Sequence, residues 1–161
     1  MLKIKNRKTL TATLILSVFI MSAAYFIQFV LNHEPCRLCI FQRIPYISAI
    51  ILIPLIFILN KYEKIITIIL VLFFIFGAIV SIYHVGIEQG IFEESFVCEL
   101  FNSKKSLSSE ELLKQLEKNT VSCKVISFTI LGFSLATFNT LISIILSGIL
   151  FIKIMKYEKN K

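Results

Sequence analysis

The chain has 161 residues, 57% of them hydrophobic, with a mean hydropathy of +0.83 and a formal net charge of +7. That apolar fraction exceeds the usual range for soluble domains and excludes a large soluble domain beside the apolar segments. The positive charge gathers at segment ends, where in a membrane chain it reports orientation, so no nucleic-acid partner is expected.

Leu10 to Leu31 is uncharged over 22 residues. At roughly 1.5 Å per residue it crosses the hydrocarbon core of about 30 Å. It follows a basic start, Lys3, Lys5, Arg7 and Lys8. The run is longer than the apolar region of a secretory signal and no small-x-small cleavage site follows, so it reads as a retained anchor. Pro45 to Leu59, with 15 residues, is too short alone. Starting near Ile40 gives 20 and draws Gln42 and Arg43 into the membrane edge. Pro54 predicts a kink in this span. Ile65 to Tyr83 supplies 19 residues, and Ile130 to Ile152 supplies 23, with Asn139 among its few polar interruptions. Lipid admits only helices or closed barrels. The expected fold is therefore an all-α, four-transmembrane-helix bundle forming a single domain over residues 1–161, with spans near 10–31, 40–59, 65–83 and 130–152.

Lys and Arg near span ends set orientation. The N-terminal tail, Lys61 and Lys64, and the tail Lys153, Lys156, Lys159 and Lys161 share one side of a four-span chain. The other side holds the loop Asn32 to Gln42 and the long loop His84 to Thr129, which carries seven Glu against five Lys. Both termini should be cytoplasmic and both loops extracytoplasmic. Within the long loop, Ser108 and Glu111 suggest a capping box for a short surface helix, with Leu112, Leu113 and Leu116 toward lipid.

All four cysteines fall in these two outer loops: Cys36 and Cys39 in the first, Cys98 and Cys123 in the second. Disulfides persist on that side of the membrane. Four cysteines allow three connectivities. The favoured resting state pairs Cys36 with Cys39, and Cys98 with Cys123. Cys36-Arg37-Leu38-Cys39 is a C-x-x-C motif, which serves redox chemistry and also zinc. Zinc needs four ligands, and beyond these two only His33 and His84 are candidates. No second C-x-x-C or spaced histidine pair is present, so no metal is expected. Two pairs on one face suit thiol–disulfide exchange, in which a thiolate of one pair attacks a sulfur of the other.

Cys39 is expected at the N-terminus of the second span, where helix dipole and nearby cations favour a thiolate. Arg43, four residues on, would share its face one turn deeper. A guanidinium at that depth is costly and usually functional. Arg37 reads as a plain loop residue.

The run Glu34-Pro35-Cys36-Arg37-Leu38-Cys39-Ile40-Phe41-Gln42-Arg43-Ile44 resembles the signature of the DsbB family of disulfide-bond formation membrane proteins, especially the shorter Gram-positive type called BdbC. Tyr83-His84 looks like a second landmark of that family. The resemblance covers nearly the whole chain. It implies an enzyme of the bacterial cell membrane that reoxidises a DsbA-like, thioredoxin-fold thiol oxidase and passes the electrons to a membrane quinone, ubiquinone or menaquinone. By the same resemblance, Cys98 would accept the mixed disulfide with that partner and Cys123 would complete the outer pair. Cys36 and Cys39 would then take the electrons, with Cys39 facing the quinone and Arg43 beside it. His84 would line the same pocket. Gln42 departs from the acidic residue that some members carry there.

Two other readings compete. A relative of vitamin K epoxide reductase would run the same electron flow for the sake of a quinone-like substrate. A non-catalytic four-helix scaffold would hold structural disulfides and use Asn139 for packing.

Overall fold

The computed structural model describes residues 2–92, 129–130 and 133–159. Cys98, Cys123 and the expected surface helix lie outside the described residues. The apolar runs form α1 (Leu2–Phe29), α2 (Arg37–Phe41), α3 (Ile44–Ile58), α4 (Glu63–Glu88) and α5 (Leu135–Lys159), with a 3-10 turn at Asn60–Tyr62. Among the described residues, four stretches are long and apolar enough to cross a bilayer: Arg7–Phe29, Arg37–Ile58, Glu63–Glu88 and Leu135–Lys156. The fold is the expected all-α four-span bundle. One small addition is an antiparallel ladder, β1 (Thr129–Ile130) with β2 (Phe133–Ser134), just before α5. Large apolar side chains face outward along the helices, Phe19 at 69% and Ile58 at 75% exposure among them. Such surfaces suit lipid, where the helices satisfy their own backbone.

Three boundaries differ from the sequence expectation, each for a local reason. The second span is interrupted between α2 and α3, at Gln42 and Arg43. Pro45 has no N–H to give the Phe41 carbonyl, so the first turn cannot continue into α3; proline instead suits the start of the new helix. Pro54 lies inside α3, which runs on through it. The third span passes Tyr83 and ends at Glu88. Gly90, at φ 73°, closes it with the paired bonds Ile91 N–H to Gly86 O (2.8 Å) and Gly90 N–H to Ile87 O (3.0 Å). That is the glycine-terminated Schellman pattern. The fourth span begins at Leu135, where Ser134 Oγ accepts the Thr137 N–H at 3.3 Å as an N-cap.

α4 packs along α5, α3 lies against both α1 and α4, and α2 rests on α4. The main core joins Leu10 and Met21 of α1, Tyr46, Ile53 and Ile56 of α3, Leu70 and Phe74 of α4, and Leu146 and Leu150 of α5. Gly77 permits the close approach of α3 to α4: a Cβ there would come within 2.6 Å of Pro45 Cγ. At one end of the bundle Lys153 Nζ meets Glu63 Oε1 at 3.2 Å, and the Arg7 guanidinium lies over the Phe57 ring at 5.7 Å. The opposite end carries the loop into α2 and the last turn of α4.

Candidate functional site

Asn32 turns the chain out of α1 in the left-handed region, φ 53°, a conformation Asn tolerates better than most residues. The loop then delivers Cys36 to the N-cap of α2, where its Sγ accepts the Cys39 N–H at 3.1 Å. Cys36, rather than Cys39, therefore holds the helix-start position. Cys39 is the third residue of α2, because the helix begins at Arg37. The two cysteines are joined as a disulfide, with Cα atoms 5.1 Å apart. Cys36 is only 5% exposed. It packs with Leu38 and Ile87, and Cys39, Val80 and Tyr83 close around them. This small cluster seats α2 on the C-terminal half of α4.

The disulfide has two different sides. Behind Cys36 stands His84 of α4, 3% exposed, with Nε2 at 3.6 Å from Cys36 Sγ. His84 Nε2 also lies 3.7 Å from Glu88 Oε1, one turn on. Its Nδ1 is 2.9 Å from the Gln42 side-chain amide, itself buried. In front of Cys39 is a cavity of about 320 Å³ between α1 and α5. Ala24, Ile27, Phe138 and Ile142 give it apolar walls, while Arg43, Tyr46 and Asn139 bring polar groups to it.

Arg43 is held from α1. Its Nη1 donates to Gln28 Oε1 at 2.7 Å, and its guanidinium lies 5.2 Å from the centre of the Tyr25 ring. Deeper in, a chain of donors ties three helices together. Tyr46 O–H donates to Asn139 Oδ1. Asn139 Nδ2 donates to Ser81 Oγ at 2.6 Å, and Ser81 donates to the Gly77 carbonyl at 2.7 Å. Asn139 thus has the interhelical role that polar residues commonly take in membrane bundles.

The structure brings together Cys36, Cys39 and His84, and puts Arg43 on the cavity with Cys39. His84 lies on the far side of the disulfide and does not line that cavity. Cys36, Cys39 and His84 offer three donor atoms within 4.8 Å. The two sulfurs are bonded to each other, however, and a metal ligand must be a thiolate. Sequence reasoning missed Gln28, Tyr46, Ser81 and Glu88. Glu88 was the most accessible of these, since a residue four beyond a helical histidine shares its face.

The C-x-x-C disulfide, with Cys36 buried, thus lies between an imidazole and an apolar cavity that holds an arginine. In the family comparison, residues 6–153 match the family of disulfide bond formation protein DsbB. This chain belongs to the DsbB family. As a DsbB-family protein it is a multi-pass membrane disulfide oxidoreductase that serves disulfide-bond formation. A curated relative, the uncharacterized protein RP370 of Rickettsia prowazekii (strain Madrid E), is 27% identical over 157 residues, 96% of this chain and 91% of the relative. No solved structure matches the chain.

Proposed function

We propose that this DsbB-family chain reoxidises an extracytoplasmic, DsbA-like thioredoxin-fold protein and delivers the electrons to a membrane quinone, ubiquinone or menaquinone. It would do so in the bacterial cell membrane with both termini cytoplasmic, as the basic ends of the spans suggest. The observation that carries the reading is the cavity beside Cys39, bounded by α1 and α5 and provided with Arg43. Its apolar walls suit a lipid-soluble ring, and its few polar groups suit the ring's oxygens.

In this reading Cys98 takes the mixed disulfide with the soluble partner and Cys123 resolves it. A thiolate of that outer pair then opens the Cys36–Cys39 bond. Cys39, on the cavity, is left facing the acceptor, and the Arg43 guanidinium favours its thiolate and the negative charge that develops on the acceptor's oxygens. A quinone supplies a two-electron sink that also takes up two protons. His84 serves the same centre from behind Cys36.

Anaerobic mixing of purified protein with a reduced DsbA-like protein and a quinone, followed optically, tests the proposal. Stoichiometric quinone reduction is expected, lost in Cys39→Ser. Cys98→Ser should block reaction with the soluble protein. Quinone reduction by Cys39→Ser at the normal rate would overturn the assignment.

A further inference from the structure

We propose that Gln42, His84 and Glu88 form a proton-accepting post for Cys36, with His84 as the base and the other two as positioning residues. The proposal concerns the same disulfide and deepens the function proposed above, but its test does not depend on which molecule takes the electrons.

The need for a base follows from the chemistry. Only a thiolate attacks or closes a disulfide. When the reduced pair closes, Cys39 is the thiolate beside Arg43 and Cys36 carries the remaining proton. The Cys36 proton passes to His84 Nε2, the Cys36–Cys39 S–S bond forms, and two electrons leave to the quinone together with two protons drawn from water. The His84 proton then returns to water, so one proton is consumed for each pair closed.

The geometry suits this step. His84 Nε2 is 3.6 Å from Cys36 Sγ, within the range of a hydrogen bond to sulfur. The same nitrogen lies 3.7 Å from Glu88 Oε1. A proton arriving on that nitrogen therefore meets a carboxylate oxygen close by. Glu88 is the last residue of α4, immediately before exposed Gln89 and Gly90, so it stands between the buried imidazole and the outer surface.

Gln42 meets His84 from the other edge, 2.9 Å from Nδ1. An amide is both donor and acceptor. The neutral ring that can accept a proton at Nε2 carries its hydrogen on Nδ1, and the Gln42 amide, turned so that its carbonyl faces the ring, accepts from Nδ1–H in the neutral and the charged state alike. The ring therefore keeps a partner whether it is neutral or charged. A carboxylate at position 42 would hold the ring charged and make it a poor base.

Among the described residues, these groups stand about the ring, element by element. Glu88 faces it from α4, and Cys36 and Gln42 face it from the α2 segment. Arg43 is turned to Gln28 of α1. Along α5, Asn139 meets Ser81, and Lys153 is engaged with Glu63 at the other end of the bundle.

The test uses the full chain, reduced and free of quinone, with iodoacetamide labelling of Cys36 followed against pH. Trypsin cleaves after Arg37, which separates Cys36 from Cys39 for mass spectrometry. Glu88→Gln should move the Cys36 profile up by about one pH unit, because the imidazolium loses its anion and the thiolate its cation. Gln42→Glu should move it down by a similar amount. His84→Gln should show at least the Glu88→Gln shift. Glu88→Gln and Gln42→Glu conserve shape, so they keep the test informative if His84→Gln fails to fold. Profiles that stay in place in both variants, or shift in the same direction, overturn the proposal. Retained shifts without quinone reduction would instead overturn the acceptor proposed above.

Discussion

Arg43 Nη1 donates to Gln28 Oε1 across 2.7 Å, so the arginine on the second span is aimed by a residue of the first. A hydrogen bond to a charged group contributes about 1.5–3 kcal/mol. Gln28→Leu should therefore raise the KM for quinone roughly tenfold, since about 1.4 kcal/mol corresponds to that factor. Reaction with the soluble thiol partner should be unchanged. Steady-state kinetics with each substrate varied in turn checks this. Arg43→Lys should not restore the affinity, because an ammonium lacks the guanidinium fork.

Tyr46, Asn139 and Ser81 join α3, α5 and α4 by consecutive hydrogen bonds. Asn139→Leu removes the middle member and should cost about 1–2 kcal/mol of stability. Tyr46→Phe should cost about 1 kcal/mol, because it leaves only the Asn139 acceptor unpaired. Reversible unfolding in mixed detergent micelles measures both.

A Cβ at Gly77 would stand 2.6 Å from Pro45 Cγ, whereas one at Gly148 meets nothing within 4 Å. Gly77→Ala should cost about 1–3 kcal/mol, the usual range for overpacking. Gly148→Ala should be neutral or gain up to about 1 kcal/mol from helix propensity. Equal effects in the same unfolding assay would show that α3 and α4 do not need their close approach.

Glu63 and Lys153 pair at 3.2 Å with side chains 19% and 8% exposed. Lys153→Met should destabilise by about 3 kcal/mol, because it strands a largely buried carboxylate. Adding Glu63→Leu should recover most of that loss. The double-mutant cycle reads the coupling directly.

The spans were legible because they are long apolar runs, and runs of that length have few alternatives in lipid. Their ends were less so. The uncharged run stops at the first ionisable residue, but α4 carries His84 and Glu88 beyond it and ends where Gly90 takes a positive φ. Likewise the fourth run looked continuous from Ile130, although Ser134 caps the helix that starts after it. The cysteine motif and Arg43 stood out by residue type. The meeting of Arg43, Tyr46 and Asn139 on one cavity, and of Gln28 with Arg43, depends on how α1, α3 and α5 come together, and no local pattern specifies that. At the interruption before Pro45, Gln42 turns to His84 and Arg43 to Gln28. A continuous helix would have led to a different arrangement.

Gln42 and Arg43 are neighbours in sequence, yet one reaches α4 and the other α1. Both cysteines and Gln42 border the cavity, so the disulfide sits at its edge with His84 behind Cys36. A single-residue deletion at Ile40 or Phe41 would move Gln42 and Arg43 out of register with His84 and Gln28. It would part the amide from its histidine and the guanidinium from its glutamine while leaving every cysteine in the chain.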